Sequence, residues 1–248
     1  GVVCTPFIAY GIYRNLPSQQ GKEEKLFPGE FYVGAYAGSS LAQSQDLHYL
    51  NGARLNNGGA LVPTGSFTAY HNRFDPGVVG GLKFGYFLKS VPYLGFEVET
   101  NVSPNRVRSQ SVRVSPSVAG RNSIVMTNQD WINWTVAGHI VGRYGFFKDS
   151  EVPFGRLQPY LGIGPGFVCM YDQQDSAKNF SIDVMAGVRY MLLKNVSAFL
   201  EYKYSHQFDV EMETHTFKVN GFVGGKSGGT ATLDYDLHRI VAGVAYHF

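Results

Sequence analysis

From Gly29 to the last residue, apolar and polar side chains alternate at every second position within segments of about ten residues, and polar stretches separate the segments. A period of two sends successive side chains to opposite faces of an extended chain. Nowhere in the 248 residues do about 18 apolar residues run consecutively, so no transmembrane helix can be drawn. Alternating segments of this length are what membrane-spanning β-strands require.

Eight such segments are legible. The first, EFYVGAYAGSS, places Phe31, Val33, Ala35 and Ala37 on one face and Tyr32, Gly34, Tyr36 and Gly38 on the other. The second, GVVGGLKFGYFL, sets Val78, Leu82, Phe84, Tyr86 and Leu88 against Lys83, and a tight KSVP turn leads to YLGFEVETNV, with Leu94, Phe96 and Val98 outward and Glu97 and Glu99 inward. The fourth, WINWTVAGHIVGRYG, sends Trp134, Val136, Ile140 and Tyr144 outward and Asn133, Thr135, His139 and Arg143 inward. LQPYLGIGPGFVCMY, FSIDVMAGVRYML, VSAFLEYKYSHQF and LDYDLHRIVAGVAYHF complete the set, with Asp183 and Arg189, Glu201 and Lys203, and Arg239 and His247 on inward faces.

A soluble sandwich also alternates, so the period alone does not separate it from a barrel. The connections do. They run long at 41–76, short at 89–92, long at 104–130, intermediate at 146–156, then 173–178, short at 193–195 and long at 211–232. Such a rhythm suits a barrel with one end in the periplasm and the other outside the cell. The expected fold is all-β, an eight-stranded antiparallel up-and-down transmembrane barrel over 29–248. Residues 1–28 do not alternate, carry Pro6, Pro17 and Pro28, and are read as an N-terminal periplasmic extension. Strand glycines such as Gly34, Gly38, Gly162, Gly164 and Gly166 then look like space for large inward side chains.

Aromatic residues make up 15% of the chain and glycine contributes 30 residues, as short-stranded all-β folds use them. A formal net charge of +2 is too small to suggest a nucleic-acid surface. Cys4 and Cys169 form neither a CxxC motif nor a disulfide framework, and one bridge or two thiols both remain open. The start GVVCTPFIAY has no basic leader, which reads as a mature form. Trp131, Trp134, Tyr144, Tyr160, Tyr190, Tyr202 and Tyr246 are expected in girdles at the two lipid interfaces.

FYVGAYAGSS, GLKFGYFLKSVPYLGFEVE, SAFLEYKY and the closing IVAGVAYHF together resemble the small outer-membrane β-barrel family, meaning the transmembrane domain of outer membrane protein A and the opacity-type surface proteins. The resemblance covers about Gly29 to Phe248. It implies that Val244, Tyr246 and Phe248 are the C-terminal signal read by the outer-membrane assembly machinery. Glu97, in the GFE motif, matches the family's central lumenal glutamate and Arg143 its basic partner, so a Glu97–Arg143 pair is expected. The family's other arginine, on strand seven, is replaced by Phe199. The chain stops at the barrel, so anchoring through a peptidoglycan-binding domain is not expected.

The expected lumenal polar network is Glu97, Glu99, Arg143, Asp183, Arg189, Glu201, Lys203 and Arg239, with Lys83 beside it. Buried charges must be paired, and eight strands enclose only enough room for side chains. A filled, structural lumen is therefore preferred to a narrow pore. A lipid-A-modifying enzyme is a third reading; Ser205 and His206 are adjacent on one strand and cannot face one site. No catalytic residue, metal site or cofactor is expected. GGKS within GFVGGKSGG lacks the setting of a phosphate loop and reads as an extracellular turn. The expected partners are outer-membrane lipid and lipopolysaccharide, the assembly machinery, and a protein at the extracellular loops or the N-terminal extension, with no nucleic acid.

Overall fold

The computed structural model describes residues 29–55, 61–118, 120–126, 129–171, 176–213 and 230–248. Among these residues there are thirteen strands and no helix. They are β1 (Gly29–Ala42), β2 (Gln45–Leu55), β3 (Leu61–Asn72), β4 (Phe74–Asp75), β5 (Gly77–Leu88), β6 (Leu94–Val107), β7 (Gln110–Val118), β8 (Arg121–Met126), β9 (Gln129–Arg143), β10 (Leu157–Tyr171), β11 (Ser176–Leu193), β12 (Val196–Glu213) and β13 (Thr230–His247).

Eight of them, β1, β5, β6, β9, β10, β11, β12 and β13, pair in that order, each antiparallel to the next. β1 closes the ring by pairing with both neighbours: Tyr32 lies opposite Gly85 on β5 and opposite His247 on β13. Closure leaves no unpaired sheet edge in the wall, the condition for a sheet to span lipid. The alternation in the sequence becomes the two faces of this wall. Val78, Phe96, Val98, Ile140, Leu161, Ile163, Leu200 and Val244 stand exposed outside, while Lys83, Glu97, Glu99, Arg189, Glu201 and Arg239 are buried inside.

Large lumenal side chains are accommodated by glycines directly across the ladder. Tyr32 faces Gly85, Tyr36 faces Gly81, Phe87 faces Gly95, Tyr160 faces Gly187, Met185 faces Gly162 and Phe199 faces Gly243. A Cβ at Gly187 would lie 2.7 Å from the Tyr160 ring, and one at Gly162 2.5 Å from Met185 Cε, closer than packed carbons tolerate. Gly34 and Gly166 likewise face Lys83 and the Ser181–Asp183 pair. Gly38 and Gly164 differ from expectation, because they press against the backbone of Ile240 and Gly138.

The stretches 41–76 and 104–130, expected as loops, instead continue the sheet beyond the membrane. β13 pairs with β2 at Thr230–Leu50, Ala231–Tyr49 and Thr232–His48; β2 pairs with β3, β3 with β7, and β7 with β8, while β4 pairs with β6. Their signal was a one-sided alternation, Val112 and Val114 against Arg113 and Ser115, which has no lipid-facing row. The buried row joins Leu47, Tyr49, Ala69 and Ile124 from this extension to Trp131, Met170, Val210, Leu233, Tyr235 and Leu237 from the barrel wall. Phe74 is wedged between Trp131 and Tyr235, with ring centroids 5.5 Å from each. An apolar lid thus lies over the extracellular end of the lumen. The centre of the 211–232 loop with GGKS, and residues 1–28 with Cys4, lie outside the described residues; Cys169 is buried on β10.

The girdle assignment needs two corrections. Trp131 belongs to the lid core and Tyr160 to the lumen. Both share the parity of inward neighbours, Trp131 with Asn133 and Tyr160 with Gln158 and Gly162, so the period of two overrides their aromatic character.

Candidate functional site

The lumen is built in layers. At the short-turn rim, Arg143 from β9 reaches across to Glu30 at the start of β1, with Nη1 to Oε1 at 3.0 Å. Its Nε donates to the Pro92 carbonyl at 3.0 Å and Nη1 to Gln158 Oε1 at 3.1 Å. The guanidinium lies between the rings of Phe87, 3.5 Å away, and Phe154, 4.2 Å away. His247, the last residue of β13, meets the same Glu30 at 2.7 Å through Nδ1 and Ser197 at 2.8 Å through Nε2. First strand, last strand and β9 are tied together here.

The expected Glu97–Arg143 pair does not form. Register places Glu97 opposite His139, so Arg143 lies four residues further along β9. At about 3.3 Å per residue that is roughly 13 Å towards the rim, beyond the reach of an inward arginine. Glu97 is instead bound by Lys83 Nζ at 3.3 Å and by the Tyr32 hydroxyl. Lys83 also bonds Glu201, which accepts from Tyr160 and lies 3.1 Å from Lys203 Nζ. Lys203 in turn bonds Glu99, which accepts from Tyr36 at 3.3 Å. Glu97, Lys83, Glu201, Lys203 and Glu99 therefore form one alternating chain across the barrel from β5 and β6 to β12. All five side chains are buried, and three tyrosines donate to its carboxylates.

The remaining expected lumenal residues are present but not in ion pairs. Arg189 stacks over the Tyr32 ring at 4.2 Å and the Tyr160 ring at 5.3 Å. Asp183 accepts a hydrogen bond from Ser181 at 2.7 Å. Neither these two nor Arg239 has an oppositely charged group within 4.0 Å among the described residues. Arg239 shares a polar belt above the plug with Asn101, Ser103, Asn133, Thr135, Ser205 and Gln207, all buried. Several of their polar atoms, among them Asn101 Oδ1, Ser103 Oγ and Ser205 Oγ, have no hydrogen-bond partner among the described residues.

Sequence reasoning overlooked Glu30, gave no polar role to Tyr32 and Tyr36, and placed Tyr160 in the girdle rather than on Glu201. It also overlooked that Glu97, Glu99 and His139 bring three possible ligand atoms within 4.8 Å of one another. Cross-strand register creates that cluster, and spacing along the chain cannot reveal it. Lys83 and Lys203 already neutralise the two carboxylates, so the cluster is part of the plug rather than an open cation site.

Among the described residues the lumen holds, in turn, a clamped rim, an aromatic and ionic plug, a polar belt and an apolar lid. Residues 24–248 match the model of the outer membrane protein β-barrel domain. The chain belongs to that family. It is accordingly an integral protein of the Gram-negative outer membrane. Among solved structures, OprG from Pseudomonas aeruginosa is 16% identical, with 89% of this chain and 96% of that one covered and a TM-score of 0.52. The neisserial surface protein NspA is also 16% identical, covering 88% and 97% with a TM-score of 0.47. The outer membrane protease OmpT of Escherichia coli is 10% identical, covering 88% and 97% with a TM-score of 0.36. At these identities the likeness concerns the fold alone. No curated protein matches the sequence.

Proposed function

We propose that this family member is a closed outer-membrane barrel with a structural or surface-interaction role, its working surface being the folded extracellular sheet. The observation that carries this reading is the double seal of the lumen: a buried chain of five alternating charges beneath a fifteen-residue apolar core. A conduction path would have to break both. Binding usually resides on segments carried by a rigid scaffold, and β2, β3, β7 and β8 form such a segment above the membrane. Within this reading, residues 1–28 attach at the periplasmic rim, because β1 begins there. Val244, Tyr246 and Phe248, outward on or just after β13, serve recognition by the assembly machinery.

The test replaces 45–72 and 110–126 by short turns in the living cell. Loss of a surface phenotype such as adhesion, with outer-membrane permeability to small solutes unchanged, supports the proposal. A permeability change with surface behaviour intact refutes it.

A further inference from the structure

The outward row of β6 marks where the membrane ends. Leu94, Phe96, Val98, Thr100, Val102 and Pro104 point outward in succession, and Arg106 and Arg108 continue the same row, exposed. From Leu94 to Pro104 there are ten steps of about 3.4 Å, or roughly 34 Å along the strand. At a tilt of roughly 35–45° this spans about 24–28 Å of membrane normal, which matches the apolar band of about 25 Å around such barrels. On β9 the same boundary appears: Ile132, exposed, pairs with Pro104, and Asp130 pairs with Arg106. Arg106 therefore stands at the first step above the hydrocarbon, facing lipid.

Its guanidinium is only partly used. Arg106 Nε donates to Asp130 at 2.6 Å, and its two terminal amines have no partner among the described residues. Arg108 is oriented by Asp75, with Nη2 at 2.7 Å and Nε at 2.8 Å, and its backbone N–H donates to the Arg73 carbonyl. Arg106 and Arg108 remain more than half exposed. Arg113, also exposed, has its guanidinium carbon 5.1 Å from the centre of the Tyr70 ring, and Arg73 and Arg121 are exposed as well. Arg73, Arg106 and Arg108, brought together by the Arg108–Arg73 backbone bond and the β4–β6 pairing, stand against Asp75 and Asp130 and leave a formal +1 (3 − 2). The carboxylates hold the forks in place, and a held guanidinium is the group best shaped for bidentate phosphate binding.

We infer that Arg106 and Arg108, backed by Arg73, form a lateral binding site for the phosphate groups of outer-leaflet lipopolysaccharide. The site needs only that the chain lies in the outer membrane, so it stands or falls separately from the surface-interaction role. The observation that selects lipid rather than a soluble polyanion is the position of the pair, in line with the lipid-facing row and one step above it.

Native mass spectrometry of the detergent-solubilised protein tests this with lipid A and with its dephosphorylated form. The intact protein should retain the phosphorylated lipid, and Arg106→Gln/Arg108→Gln should weaken that retention by about tenfold, equivalent to about 1.4 kcal/mol. Arg106→Lys/Arg108→Lys should keep an intermediate affinity, and heat-modifiable mobility confirms that each variant is folded. Equal retention of the dephosphorylated lipid, or no loss in the glutamine variant, overturns the site. So does heparin binding that needs the two arginines while lipid A binding does not.

Discussion

Replacing Lys83 by methionine removes the centre of the ionic plug while keeping its volume. Lys83 Nζ lies 3.3 Å from both oxygens of Glu97, bonds Glu201, and sits 4.3 Å above the Phe199 ring, with no exposed surface. At an effective dielectric of about 20, one contact at 3.3 Å is worth about 5 kcal/mol, since 332/(20 × 3.3) ≈ 5. Relief of the buried ammonium's desolvation offsets part of this, and the usual net cost of orphaning a buried partner is about 3–5 kcal/mol. The chain of three carboxylates and two ammonium groups carries −1; the variant carries −2. Adding Glu201→Gln returns it to −1, so the double variant should lose at least about 2 kcal/mol less than the sum of the single losses. Urea unfolding in lipid vesicles, followed by the fluorescence of Trp131 and Trp134, measures all three. A single-variant loss below about 1 kcal/mol with additive energies would mean that water screens the lumen and the plug is not a dry network.

Three further outcomes follow from the packing. Gly85→Val drives a side chain into the Tyr32 ring and should cost about 1–3 kcal/mol, whereas Gly142→Val meets open space on the outer face and should be nearly neutral; the same urea assay separates them. Val112→Asp places an unpaired charge in the lid core, so protease added to intact cells should cut the extracellular sheet while the barrel stays heat-modifiable. In the β9–β10 turn, the Asp149 carboxyl is held below its usual range by the backbone N–H of Val152 and by Arg156. A depressed folded value means stabilisation that is present above the ordinary carboxylate range and lost as pH falls through it. The Glu151 and Val152 amides should therefore be protected at neutral pH, and Asp149→Asn should speed their hydrogen exchange.

The wall of the barrel was legible because a period of two carries its own face assignment. β5 and β10 begin and end at the expected residues, Gly77–Leu88 and Leu157–Tyr171, and Lys83, Glu97, Glu201 and Arg239 face inward as their parity requires. Height within the lumen was not legible. Parity says that Glu97 and Arg143 both point inward, and only the pairing of Glu97 with His139 shows that they lie at different levels. The same blindness hid the Glu97, Glu99 and His139 cluster and the closure of the rim through Glu30 and His247, residues 217 positions apart. The extracellular strands were missed for another reason. Above the membrane a strand needs only one apolar face, so Val112 and Val114 are too few to stand out from a polar stretch.

Planar-bilayer recording addresses the closed lumen most directly. With Glu97, Lys83, Glu201, Lys203 and Glu99 joined across the bore and the lid packed over it, inserted protein should show no steady current, or only rare small openings. A stable, ion-selective conductance from every inserted molecule of the unaltered protein would contradict the sealed lumen and make the barrel a pore.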